Sequence, residues 1–338
     1  MKSLQQLEEV LTEPSAALVA DLATLDGDLL ILGAGGKMGP SLAVLAKKAF
    51  QEAGVAKRVI GMSRFSDDSE MKKLEARGIE AIMGDLLDDE QLAALPDVKN
   101  VIYMAGNKFG TTGNEHFSWA MNTYLPGKIA EKYKNSRIVA FSTGNVYPLT
   151  PVKQGGATED DPTGPIGEYA QSCLGRERIF EHFSRKYGTP LTIFRLNYAI
   201  DLRYGVLLEV AKAVKSGQPI DLSMGHVNVI WQGDANEMAL RALTVADTPP
   251  CVLNIAGPET ISVRWLAEQF GNHFGTKPHF VNEEQETALL NNASKAHQLF
   301  GYPRVTLRQM IDWVAAWVQA DGPTHDKPTH FQERQGAF

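Results

Sequence analysis

Leu29-Leu30-Ile31-Leu32-Gly33-Ala34-Gly35-Gly36-Lys37-Met38-Gly39 runs from an unbroken aliphatic stretch into a glycine-rich turn and then into an amphipathic stretch over 38–52. Aliphatic residues on both faces predict a strand buried in a parallel sheet, and the stretch after the turn predicts a helix packed on it. This order creates a place for an anion. Backbone can approach a phosphate only where side chains are missing, and the helix start supplies unpaired N–H groups and positive dipole. The spacing is Gly33-x-x-Gly36-x-x-Gly39, with Gly35 as an extra glycine, rather than the Gly-x-Gly-x-x-Gly of dinucleotide enzymes. Because strand and helix flank it on the correct sides, the turn is read as a cofactor-phosphate site contacted by Gly33, Gly36, Lys37, Met38 and Gly39.

The same alternation continues along the chain. Further strands are expected at 58–62, 81–83, 100–104, 137–142 and 191–196, with helices at 68–76, 89–95, 115–133 and 166–187 between them. Short apolar runs alternating with helical patterns predict an α/β fold, a Rossmann-like doubly wound parallel sheet. After residue 197 the rhythm loosens, with helices expected near 206–216, 234–245, 263–274 and 306–319 and a strand near 227–231. The expected organisation is a helical N-terminal extension (1–28), a dinucleotide-binding domain (29–197), a smaller substrate-binding region (198–321) and a polar C-terminal tail (322–338).

Composition narrows the function classes. A chain of 338 residues with 43% hydrophobic and 22% charged residues is expected to be soluble and globular, and a net charge of −7 gives no basic footprint for nucleic acid or anionic lipid. Glu8, Glu9, Glu13 and Asp21 interrupt the start of the chain, which therefore does not read as a signal peptide or anchor. Its two cysteines, Cys173 and Cys251, form no disulfide framework, so a cytoplasmic location is expected. His325 and His330 lack metal-like partners, and no metal is expected.

Two positions bear on the chemistry. At the end of the second expected strand, Ser63 and Arg64 stand where an acidic residue would repel a 2′-phosphate. They favour NADP over NAD. Tyr169-Ala170-Gln171-Ser172-Cys173 has the spacing of a Tyr-x-x-x-Lys catalytic pair, with cysteine in the lysine position. Residues i and i+4 share a helix face, so an ammonium at 173 would lower the tyrosine pKa; a neutral thiol does not.

Taken together, the chain from Asp28 to Gln319 resembles the extended short-chain dehydrogenase/reductase superfamily, in its NAD-dependent epimerase/dehydratase branch. Gly84-Asp85-Leu86 is similar to the motif whose Asp85 and Leu86 would meet the adenine. Tyr103-Met104-Ala105-Gly106 resembles the turn that passes under the cofactor, which places Ala105 and Gly106 there. Asn122 stands at a family asparagine. Phe141-Ser142-Thr143-Gly144-Asn145-Val146-Tyr147 resembles the segment whose Thr143 would hold the substrate oxygen, and Asn254-Ile255-Ala256-Gly257 with Trp313 fits the C-terminal part. The resemblance implies a homodimer through the helices at 115–133 and 166–187.

Departures from the pattern shape the functional expectation. Gly144-Asn145 replaces the Asp-Glu of sugar-nucleotide dehydratases, which argues against water elimination. Val227 stands where nucleotide-sugar members place an arginine on the diphosphate, seven residues before Asp234. The expected activity is an NAD(P)-dependent oxidoreductase or epimerase acting on a small non-nucleotide sugar, sugar acid or polyol. Alternatives are a cofactor-binding protein with little catalysis, such as a redox sensor or partner subunit, and a nucleotide-sugar epimerase. Lys108 is the candidate to replace the missing ammonium, and Cys173 is either reactive or a small apolar filler. Asn107, Asn145, Asn197, Arg203 and His226 are the candidate substrate contacts.

Overall fold

In a computed structural model, the structure describes all residues except 2, 66, 109–112 and 337–338. Seven strands form one parallel sheet: β1 (Leu29–Leu32), β2 (Val59–Ser63), β3 (Glu80–Met83), β4 (Asn100–Tyr103), β5 (Arg137–Thr143), β6 (Leu191–Leu196) and β7 (Cys251–Ile255). Their order is β7-β6-β5-β4-β1-β2-β3. Leu29 lies opposite both Val59 and Asn100, so β1 is central and the topological switch falls between β1 and β4.

Alternation along β1 explains the layers. Leu29 and Ile31 enter a core under the N-terminal helix α2 (Ala16–Thr24), α3 (Gly39–Glu52) and α10 (Gln232–Arg241). Leu30 and Leu32 enter the opposite core with Leu125, Ile129 and Phe180. These last residues belong to α7 (Leu125–Lys132) and α8 (Gly167–Tyr187). A third core joins α1 (Leu4–Leu11), α9 (Val206–Ser216), α11 (Val263–Phe274) and α13 (Leu307–Gln319). Thr306 and Gln309 close a capping box at the start of α13.

Several expectations need correction. The sheet takes its seventh strand from 251–255, beyond the expected domain end at 197; β7 pairs along β6 from Cys251–Thr192 to Ile255–Leu196. The helix expected over 115–133 contains a π-helical turn at Ala120–Tyr124 between α6 (Glu115–Trp119) and α7. The strand expected near 227–231 is two separate two-residue strands, His226–Val227 and Ile230–Trp231, because one pairs with Ile261–Ser262 and the other with Ala199–Ile200, with Asn228 between them bonded to Asn197 and the Asn291 carbonyl. Of the apolar residues on the expected dimer helix, Met121, Leu125, Ile129 and Tyr133 are spent on the chain's own core, leaving Trp119 and Tyr124 exposed.

The C-terminal segment is polar in composition but docked in structure. Thr329 and Phe331 are only 2% and 6% exposed. The Thr329 N–H and hydroxyl both donate to the Glu209 carboxylate of α9, the latter at 2.9 Å. Arg334 donates to the Ser223 and Thr287 carbonyls at 2.9 and 2.8 Å. Paired backbone and one buried ring hold the segment where sequence composition suggests solvent. Phe331→Ala should therefore cost about 3–5 kcal/mol, the usual range for emptying a buried aromatic site. Urea unfolding showing a loss below about 1 kcal/mol would contradict this docking.

Candidate active site

The turn after β1 is shaped for close backbone approach. Gly33 has φ +100°, and a Cβ there would lie 2.8 Å from the Ala105 backbone nitrogen; one on Gly39 would lie 2.4 Å from the Ala34 carbonyl oxygen. Those two glycines pack β1, β4 and α3 together. Gly36 differs, since a Cβ there would meet only the Gly33 carbonyl oxygen, at 3.4 Å. Helix α3 begins without a side-chain cap, with Met38 as the preceding residue. Open space over Gly36 and uncapped N–H groups fit a phosphate-bearing cofactor.

Above this turn, at the C-terminal ends of β1, β4, β5 and β6, lies a cavity of about 310 Å³. Gly33, Gly36, Lys37, Met38, Lys108, Thr143, Asn145, Tyr169 and Asn197 line it, so the fold brings together candidates spread over more than 160 positions. Thr143 ends β5, and its hydroxyl accepts from the Asn145 N–H at 3.2 Å. Tyr169 lies in the first turn of α8, and its hydroxyl hydrogen-bonds the side chains of Thr143 and Cys173.

Electrostatics at this end of the cavity are unusual. Burial pushes the Tyr169 phenol well above its ordinary range and the Cys173 interaction adds to this, while Arg176 and Thr143 oppose it. Burial likewise raises the Cys173 thiol, so it sits in the core as a neutral group. Lys108 places its Nζ 6.0 Å from the centre of the Tyr169 ring, and burial lowers its ammonium to about 8. Lys37 stacks its Nζ 3.3 Å from the centre of the Tyr204 ring; burial first, then Lys108 and Lys327, lower it to about 7. Both lysine shifts have the sign expected for cations taken from water, and for Lys37 the nearby lysines add to it.

Other candidates stand elsewhere. Ser63 ends β2, and Arg64 is exposed and makes no ion pair among the described residues. Asp85 receives the Leu87 N–H at 2.9 Å, while Leu86 is buried. These residues lie at the outer strand ends, beside the cavity rather than in its wall. Ala105 and Gly106 follow β4, and the Asn107 N–H donates to Asn122 Oδ1 at 2.9 Å. Arg203 is held by Asp201 at 2.6 Å, and His226 pairs with Ser262 in a short bridge; neither lines the cavity. Val227 is fully buried in the third core.

Sequence reasoning missed Tyr198, Tyr204 and Thr329 in the cavity wall. Tyr204-Gly205 ahead of α9 offered a weak turn signal. Thr329 offered none, because its place depends on Glu209 in a distant helix. Arg176 was also missed. It is buried beneath Gly106 and bonded to Asn122, which lies in the π-helical turn. Such turns recur at functional sites.

The family model for the NAD dependent epimerase/dehydratase family matches residues 29–256. The chain belongs to this family. It is thus an enzyme of the NAD-dependent epimerase/dehydratase kind, built to use a nicotinamide dinucleotide. Among solved structures it is similar to MoeE5 in complex with UDP-glucose and NAD, with a TM-score of 0.70 and 18% identity over 87% of this chain and 99% of that one. It is also similar to UDP-glucuronic acid 4-epimerase from Bacillus cereus in complex with UDP-glucuronic acid and NAD, with a TM-score of 0.70 and 19% identity over 86% and 99% of the two chains. The dTDP-glucose 4,6-dehydratase DesIV from Streptomyces venezuelae, with NAD bound, gives a TM-score of 0.72 and 18% identity over 86% and 97%. At these identities the likeness shows a shared fold. No curated protein is matched by the sequence. Among the described residues, no helix is long and apolar enough to cross a membrane.

Proposed function

We propose that the cavity oxidises and reduces a sugar hydroxyl, in one step as an oxidoreductase or in two as an epimerase, with Tyr169 as the group that transfers the proton. The observation that carries this reading is that Tyr169 and Thr143 meet in the wall of one cavity, with the buried Cys173 behind the tyrosine. A nicotinamide dinucleotide, when bound, supplies the hydride acceptor and donor. Thr143 holds the reacting oxygen through its hydroxyl, and Tyr169 takes or returns that oxygen's proton. Lys108, beside the Tyr169 ring, contributes positive charge toward a developing phenolate. Asn145 and Asn197 stand in the cavity wall to bond the remaining substrate hydroxyls.

Two substrate readings have specific support. Solved structures of the same fold carry UDP-glucose and UDP-glucuronic acid, which supports a nucleotide sugar and is the broader support. The buried Val227 supports a small sugar, sugar acid or polyol without a diphosphate, because no cation stands there to grip one. Calorimetric titration with UDP-glucose and with free glucuronate, each beside saturating cofactor, separates them by which one binds. The same cavity chemistry serves either.

Tyr169→Phe should remove turnover by at least about a hundredfold, the lower scale for losing a general acid/base, while dinucleotide affinity stays within about threefold. Cys173→Lys should move the alkaline rise of the oxidation rate to lower pH, since a cation at that position favours phenolate. Turnover retained in Tyr169→Phe would assign the proton transfer to another group.

For the cofactor, the exposed Arg64 supports NADP over NAD, by pairing a 2′-phosphate. Arg64→Ala should then weaken NADPH binding by about 1.5–3 kcal/mol and leave NADH nearly unchanged. Equal wild-type affinity for the two would sink the preference.

The exposed Trp119 and Tyr124, the latter 62% exposed, support a homodimer through α6 to α8. Light scattering at micromolar concentration should give twice the chain mass of 37.0 kDa. A particle of one chain mass would remove the dimer from the reading.

A further inference from the structure

Helix α8 carries a cation on the Tyr169 face, one turn beyond the uncharged Cys173. Arg176 is 6% exposed, and its hydrogen-bond partners are neutral. Nη1 donates to the Phe141 carbonyl at 2.9 Å, Nη2 to Asn122 Oδ1 at 2.7 Å and Nε to the Asn122 carbonyl at 3.4 Å. Its guanidinium carbon lies 5.8 Å from the centre of the Tyr103 ring. The neighbouring carboxylate, Glu177, is bound instead to Arg195 at 2.7 Å. Among the described residues Arg176 makes no ion pair. A buried guanidinium with no direct ion pair, and with the neighbouring Glu177 carboxylate already taken by Arg195, is costly and needs a reason.

Its position supplies one. A Cβ on Gly106 would come within 2.5 Å of Arg176 Nη2 and 3.0 Å of Asn122 Oδ1. Gly106 itself is exposed, so a single backbone layer separates the guanidinium from the open side of the loop after β4. In the same helix, the residue four after Tyr169 is the uncharged Cys173, and Arg176 follows three residues later. Positions i+4 and i+7 share a face with i. We infer that Arg176 is the positioning cation of this site: its guanidinium, under Gly106 and held by Asn122, supplies through its field the positive charge that a lysine at 173 would supply.

This inference rests on the proposed function for the bound dinucleotide and adds one premise of its own, that the nicotinamide half lies over the loop at Gly106, next to the Lys108 and Tyr169 that line the cavity. A fixed positive charge under that seat disfavours the cationic oxidised ring relative to the neutral reduced one. It also favours the Tyr169 phenolate. Arg176 acts through its field and through the loop it supports, without touching substrate.

The test is the ratio of NAD+ to NADH dissociation constants, or of NADP+ to NADPH, measured by titration calorimetry on the full chain. Arg176→Gln keeps hydrogen-bond donors and removes the charge. It should lower that ratio by about tenfold, the scale of two unit charges about 10 Å apart at an effective dielectric of about 20. Arg176→Lys should restore the ratio to within about threefold of wild type, less than half of that effect on the logarithmic scale. Asn122→Asp sets a carboxylate against Nη2 and should lower the ratio in the same direction, which keeps the test available if Arg176→Gln does not fold. A merely structural Arg176 would weaken both redox forms equally and leave the ratio unchanged, overturning the inference while the proposed function stands. Failure of wild type to bind either form would overturn both.

Discussion

The ion pair between Glu177 and Arg195 fixes the geometry on which the site depends. Both side chains are buried, and Arg195 donates to both carboxylate oxygens at 2.7 to 3.2 Å. Ser142 also donates to Glu177, and Arg195 reaches the Tyr147 hydroxyl, which in turn donates to Asn254 at 3.0 Å. One network thus ties α8 to β5, β6 and β7 at their C-terminal ends. Removing one partner of such a pair leaves an uncompensated buried charge, at a cost of about 3–5 kcal/mol. The constraint is also directional. Glu177 lies two turns along α8 from Tyr169, so anchoring it sets where the phenol meets Thr143.

The network explains why a costly polar arrangement sits inside an apolar fold. Hydrophobic burial on the two sheet faces would stabilise α8 in several axial positions, because dispersion and apolar transfer have little directionality. A carboxylate filled by Ser142 and Arg195 accepts only one. The fold therefore spends burial on orientation where strand ends meet the catalytic helix, and uses plain aliphatic packing elsewhere.

Around the cavity the chain gathers positive charge from separate segments. Lys37 comes from the glycine-rich turn, Lys108 from the loop after β4, and Arg176 from α8 beneath them. For both lysines burial comes first in holding the ammonium below its ordinary range. The folded state therefore disfavours their protonation, and stability gains from each lysine as pH rises through the window between its folded and unfolded pKa. An anionic cofactor placed there would reverse that penalty. Charge of this kind suits a site completed by what it binds better than a closed structural core.

The aliphatic run at 29–32 and its glycines made the central strand, the turn and the parallel sheet legible, because local periodicity and backbone permissiveness are written in adjacent residues. The same holds for Tyr169 and Cys173, whose spacing alone puts them on one helix face. Strand β7 was missed although Cys251-Val252-Leu253-Asn254-Ile255 is largely aliphatic, because its place in the sheet is set only by pairing with β6, far from it in the chain. Thr329 and Phe331 looked like polar tail because their burial depends on Glu209 and a core more than a hundred positions away. Arg203 looked available for substrate, yet Asp201 holds its guanidinium, and His226 is carried by a short strand pair away from the cavity. Arg176 drew no reading from the sequence, because what sets it apart is the packing of Gly106 and Asn122 over it. What the sequence by itself determined was most of the strand–helix alternation up to residue 196 and the chemical groups it carries, since those follow from neighbours in the chain. Only the tertiary structure decided which of those groups share the cavity, because burial, counter-charge and field depend on distances between segments that the chain order does not encode.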